Sequence, residues 1–190
     1  NRMQADVSAA IAARYQDLEI EWDVDVTAYS SIVTLFEDAM QRYPDLPACS
    51  SVGHSISYRE LDTLSANFAS WLQSDSGLSQ GDRVAIQMPN LMQYLVACLG
   101  TLRAGMVIVN TNPLYTEREL EHQLNDSGAR LLVLQANVAE TAANVVSKTD
   151  IEKIVLTEIA DLHPMPKRWL LNAAVKYIKK MVPKVVLPNV

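Results

Sequence analysis

Few residues in this sequence could cradle a phosphate, hold a metal or attack a carbonyl, and their spacing argues against each role. The six glycines are Gly53, Gly77, Gly81, Gly100, Gly105 and Gly128. None forms the closely spaced set that lets backbone N–H groups crowd around an anion at a helix start. Gly100 and Gly105 match a phosphate-loop spacing, but Met106-Val107 follows instead of Lys-Ser/Thr, and the pair precedes a strand. The histidines His54, His122 and His163 are not grouped with cysteines or carboxylates at metal-ligand spacing. His122, between Glu121 and Gln123, reads as a solvated surface residue. No G-x-S-x-G elbow is present, and Asp82 precedes its strand, the wrong end for a phospho-acceptor. Cys49 and Cys98 lie far apart in apolar surroundings without C-x-x-C spacing. They read as buried free thiols in a reducing, cytosolic compartment, rather than as a disulfide, a metal site or a nucleophile.

The elements around these residues are better marked. Ile32, Leu35, Phe36, Ala39 and Met40 recur at helical spacing up to a stop near Tyr43-Pro44. A β segment at 48–52 turns at Gly53-His54 and returns through Ile56 and Tyr58. Ser57 and Glu60 make a capping box for a helix whose inner face carries Leu61, Leu64, Phe68 and Leu72. The run 83–88 is a strand, with Asn90 as N-cap of a helix over 91–103 that Gly105 ends. Met106 to Val109 is the next strand. Thr116 and Glu119 make a second capping box, Leu120 and Leu124 face inward, and Gly128 stops that helix. Strands over 131–134 and 154–157 flank a helix over 138–147. Short, continuously apolar strands alternating with helices predict a doubly wound, mostly parallel α/β sheet buried on both faces, with an N-terminal α/β extension.

Composition narrows the function class. The 190 residues carry a formal net charge of -6, and basic residues interleaved with aromatics are missing, so nucleic acid is not the expected partner. The first residues lack the continuous apolar run of a secretory signal. The most apolar window, 91–109, is broken by Gln93, Arg103 and two glycines, as a buried helix and strand would be. Charge is unevenly spread. Glu19, Glu21, Asp23 and Asp25 cluster near the start, whereas from His163 onward there are six basic side chains and no carboxylate side chain.

Those six are Lys167, Arg168, Lys176, Lys179, Lys180 and Lys184. Residues 167–182 predict an amphipathic helix, with Leu171, Ala174, Val175, Ile178, Met181 and Val182 on one face. Arg168, Asn172, Lys176, Lys179 and Lys180 lie on the other, and Trp169 and Tyr177 suit an interface. Three readings stay open: packing on the parent domain, pairing with a second copy, or contact with an anionic membrane surface. Each basic residue near such a surface contributes about 1 kcal/mol, enough in sum for reversible, salt-sensitive adsorption.

Several segments together resemble a known family. ISYREL, GDRVAIQMPN, LRAGMVIVNTNP and LYTERELEHQLNDSGA are similar to the N-terminal region of AMP-forming acyl-CoA synthetases, within the adenylate-forming superfamily. YREL and L-R-A-G-x-x-x-V-x-x-x-P are motifs of that whole branch. NPLYTERELEHQLNDSGA followed by VKYIKKMVPK is more particular and resembles bacterial long-chain fatty-acid–CoA ligases. One departure is Glu117, where those ligases often carry proline; an acidic side chain also suits a helix start.

The resemblance implies ATP, Mg²⁺ and CoA as cofactors, a long-chain fatty acid as substrate, and an acyl-adenylate intermediate. The family's phosphate loop, its later Tyr-Thr-Glu-type segment and its C-terminal-domain lysine have no counterpart here, and Thr116-Glu117 is a helix cap. The expectation is an N-terminal fragment, non-catalytic alone, with no catalytic, cofactor or metal residue of its own. It divides into an extension over 1–28, an α/β subdomain over 29–162 and a basic helix with linker over 163–190. The expected location is the cytoplasm, peripheral on the inner membrane. The alternatives are a stand-alone binding module with the same fold and a synthetase for shorter-chain or aryl acids.

Overall fold

The computed structural model describes residues 2–19, 25, 27–185 and 187. The chain divides into two compact units, residues 1–35 and 36–190. In the first, α1 spans Arg2–Asp17. Glu21 and Asp23 of the acidic cluster lie outside the described residues. Asp25 accepts the hydroxyl and the backbone N–H of Thr27, which hold its carboxyl below the usual range.

The second unit is built around four parallel strands: β3 (Arg83–Gln87), β4 (Val107–Thr111), β5 (Leu131–Gln135) and β6 (Lys153–Thr157). Their order is β4-β3-β5-β6. Thus β3 and β5 are central and buried along almost their whole length, while β4 and β6 are partly exposed. Helices α3 (Tyr58–Ser74) and α4 (Met92–Arg103) cover one face, over Val84, Ile86, Leu131 and Val133. The other face, formed by Ala85, Leu132, Leu134 and Ile154, lies under α5 (Glu117–Ser127) and α6 (Ala139–Val145). The register pairs Val84 with Leu131 and Ala85 with Leu132, so both strands send matching side chains to each face. This is the doubly wound arrangement expected from the continuous apolar runs.

Ahead of the sheet, α2 (Ile32–Arg42) leads to an antiparallel hairpin of β1 (Pro47–Ser51) and β2 (His54–Ser57). Met40, Ile56, Leu61, Met92 and Leu99 form a third apolar cluster beside the sheet. Both capping boxes form. Ser57 accepts the Glu60 N–H and Thr116 the Glu119 N–H, while each glutamate accepts back from its cap residue. These bonds hold the Glu60 and Glu119 carboxyls below the usual glutamate range. Gly128 takes the left-handed conformation that ends α5.

Several boundaries differ from expectation, most by a single residue. The N-cap of α4 is Leu91 rather than Asn90, and it makes no side-chain capping bond. The Leu91 N–H is already used in a turn with the Pro89 carbonyl, and burying Leu91 sets the helix start one residue later. The expected helix over 138–147 is a central α6 flanked by short 3₁₀ turns at Ala136–Val138 and Val146–Lys148. Strand β4 continues to Thr111, past the Val109 expected as its end.

Where α3 crosses α4, Gly100 is the contact point. A Cβ built there would stand 2.7 Å from Phe68 Cδ1 and 2.9 Å from the Ser65 carbonyl oxygen. Gly100→Ala therefore forces the two helices apart and should destabilise the chain by about 1–3 kcal/mol, read as a lower urea midpoint. An unchanged midpoint would show that α3 yields freely.

Candidate functional site

In an open parallel sheet, ligands gather outside the carboxyl ends of the strands. Here each of the four strands ends in a buried polar residue: Gln87 on β3, Thr111 on β4, Gln135 on β5 and Thr157 on β6. The register sets Gln87 beside Thr111 and Gln135 beside Thr157, making a polar row along this edge. Gln93 on α4 reaches over the edge and donates to the Glu158 carbonyl at 2.9 Å. The Oε1 atoms of Gln87 and Gln93 have no hydrogen-bond partner among the described residues. The apolar residues that mark each strand in the sequence do not disclose this row. The available signal was a single Gln or Thr closing each run.

The segment leaving this edge is organised by Asp161. Its Oδ2 accepts the Glu158 N–H at 2.7 Å and the Thr157 hydroxyl at 3.1 Å; Oδ1 accepts from Asn172 Nδ2 at 3.0 Å. Asn172 Oδ1 in turn accepts the Ala160 N–H at 2.9 Å. Arg168 adds an ion pair to Asp161 at 3.4 Å. Lys167 donates to the Gly53 carbonyl at the hairpin tip at 2.9 Å, and His163 Nε2 lies 3.2 Å from the Val52 carbonyl. One end of the basic segment is thereby fastened to the body.

That helix is shorter than its sequence pattern. Helix α7 spans Lys167–Ala173 and continues as a π-helical turn over Ala174–Ile178, short of the expected 182. Its faces are also redistributed. Asn172, assigned to the polar face, points into the body because Asp161 and Ala160 offer it two bonds. Leu171, Ala174 and Val175 are half-buried, whereas Ile178 and Met181, assigned to the apolar face, are 79% and 54% exposed. Trp169, Leu170 and Tyr177 are exposed as well. Lys176, Lys179, Lys180 and Lys184 are exposed and form no ion pair among the described residues. The structure therefore separates the basic residues into two that fasten the segment, Lys167 and Arg168, and four that face outward.

The remaining reactive groups are quiet. Cys49 and Cys98 are free, and burial pushes both thiols up, away from nucleophilic character. His122 is exposed, as expected. No three His, Cys, Asp or Glu side chains converge as a metal site among the described residues. None of the glycines with positive φ, at 53, 77, 81, 105 and 128, lies in a strand-to-helix turn at the carboxyl edge. Among the described residues, no helix is long and apolar enough to cross a membrane.

Comparison with known proteins decides the lineage. The family model described as "AMP-binding enzyme" matches residues 36–189. The chain belongs to this family. It is 47% identical over 189 residues to a long-chain-fatty-acid–CoA ligase of Salmonella typhimurium, covering 100% of this chain and 31% of that protein. A ligase of the same description from Yersinia pestis is 48% identical over 171 residues, covering 90% of this chain and 30% of its own length. Among solved structures, a long-chain-fatty-acid-CoA ligase from Archaeoglobus fulgidus superposes with a TM-score of 0.62 at 27% identity, over 67% of this chain and 27% of that one. This AMP-binding family chain spans a little under a third of the curated relatives it matches.

Within it, Asp161 is the fastening point of the basic segment. Asp161→Ala removes the acceptor for Thr157, Glu158 and Asn172 together. Trypsin should then cut within 167–184 several-fold faster, with the sheet's melting transition kept. Cleavage at the wild-type rate, read by mass spectrometry, would move the fastening elsewhere.

Proposed function

We propose that this chain forms the N-terminal part of a long-chain fatty-acid–CoA ligase, which joins a fatty acid to CoA through an acyl-adenylate at the expense of ATP. The observation that carries this reading is the 47% identity, over 189 residues, to a protein of that description. ATP, Mg²⁺ and CoA are the group's cofactors under this reading, and they are held by residues other than those described. This chain contributes scaffold: the α/β subdomain over 29–162, whose capped α5 and central strands fix the carboxyl edge against which further elements pack.

The location that suits this role is the cytoplasm, at the cytoplasmic face of the inner membrane. The outward side of the segment over 163–190 supports it, with four lysines beside Trp169, Leu170, Tyr177, Ile178 and Met181, all exposed. Lysine ammonium groups attract anionic headgroups while aromatic and aliphatic side chains enter the interface. Pairing of two copies through this surface is the competing occupant.

Two experiments test these readings. A longer polypeptide carrying this segment at its N-terminus should make acyl-CoA from ATP, CoA and palmitate, while the chain alone should give no ATP–pyrophosphate exchange. Failure of the longer protein to form acyl-AMP from any fatty acid would remove the ligase reading. The chain should also co-sediment with phosphatidylglycerol vesicles in low salt, and the triple variant K176E/K179E/K180E should lose most of that binding. Equal sedimentation of variant and wild type, or a dimer that masks the surface, would remove the membrane reading.

A further inference from the structure

His54 and His163 lie far apart in the sequence, yet the fold brings their rings to a centroid separation of 5.0 Å, with the planes tilted by 43°. His54 opens β2 and is half-buried, while His163 follows β6 and is 4% exposed. A cavity of about 510 Å³ is lined by both side chains. His122, the third histidine of the chain, stands on the exposed surface of α5.

The bonding of His163 fixes which of its ring atoms is available. Nε2 lies 3.2 Å from the Val52 carbonyl oxygen, which can only accept, so Nε2 carries the proton of the neutral ring. Nδ1 is then a lone pair, buried and without a hydrogen-bond partner among the described residues. A ring whose far N–H is held by a backbone carbonyl, with its other nitrogen left as a lone pair, is the usual state of a metal-ligating histidine. The separation of the rings also fits one ion. Two imidazoles on a single tetrahedral Zn²⁺, each at an N–metal distance of about 2.0–2.1 Å, have centroids about 5 Å apart. Glu60 and Asp161 line the same cavity, with Arg59 as the cation among them. Both carboxylates already accept bonds, from Ser57 and from Asn172, so they set the charge around an ion rather than bind it.

We propose that His54 and His163 form a two-histidine site for a divalent transition-metal ion of the zinc type. His163 Nδ1 and one ring nitrogen of His54 are its protein ligands, and water completes the tetrahedron. Imidazole nitrogen suits such ions, whereas Mg²⁺ and Ca²⁺ take oxygen ligands. The bound ion ties the hairpin tip to the segment after β6, adding to the bonds that His163 and Lys167 make to Val52 and Gly53. The site is independent of the ligase reading and of the Mg²⁺ which that reaction uses.

The test uses the 190-residue chain without a polyhistidine tag, titrated with Zn²⁺ in a calorimeter. Binding of one Zn²⁺ per chain is expected, with no saturable heat from Mg²⁺. His54→Gln and His163→Gln should each weaken binding roughly tenfold or more, and His122→Gln should leave it unchanged. Zn²⁺ should also slow tryptic cutting within 167–184, and EDTA should restore the free rate. His163→Gln removes the bond to Val52 as well, so the deciding variant is His54→Gln, which leaves that bond in place and should melt as wild type does. No saturable Zn²⁺ binding, full affinity in His54→Gln, or loss of binding in His122→Gln would each overturn the site. Zn²⁺ binding that leaves the tryptic rate unchanged would overturn the tie between hairpin and segment.

Discussion

Burial of β3 from four directions constrains everything else in the larger unit. The strand has β4 and β5 as hydrogen-bonded neighbours and helices above and below, and Val84, Ala85, Ile86 and Gln87 are all at most 1% exposed. Backbone groups so deep must pair along their length, and β4 and β5 supply a parallel partner on each side. With both neighbours fixed, connections can reach them only through helices that cross the faces. Close packing of α3 on α4 at Gly100 and of α5 beside α6 then arises from the space those crossings leave. At the strand's carboxyl end a polar side chain, Gln87, enters the buried sheet.

This layout explains why the fold was readable and the site less so. Continuous apolar runs, two capping boxes and Gly128 are local signals, each decided by a few neighbouring residues, and the structure keeps all of them. Leu91 in place of Asn90 is a case where burial of a leucine and a turn at Pro89 outweigh a favoured capping residue. Asn172 was misplaced because helical periodicity cannot register Asp161, eleven residues earlier, as its partner. The polar row at the strand ends depends on register across four strands, a relation no single segment carries. The family resemblance was legible because its motifs are the same local signals in a fixed order.

The basic segment shows how one composition serves two purposes. Lys167 and Arg168 spend their charge inside the molecule, on a backbone carbonyl and on Asp161. The lysines further along meet solvent, and so do the large apolar side chains between them. An ordinary helix would turn those apolar groups inward. Here the inward positions are already taken by Leu171, Asn172 and Val175, and the π-helical turn over Ala174–Ile178 breaks the helical phase from there on.

The hairpin tip carries a consequence for how the chain is made. Val52 and Gly53 both adopt positive φ, at 50° and 69°, and for valine that conformation is strained. The tip is gripped by His163 and Lys167, and the first of these contacts spans 111 residues. A ribosome delivers the hairpin long before it delivers its clasp. Through that interval the turn lacks the contacts of His163 and Lys167, which follow all four strands of the sheet in the chain.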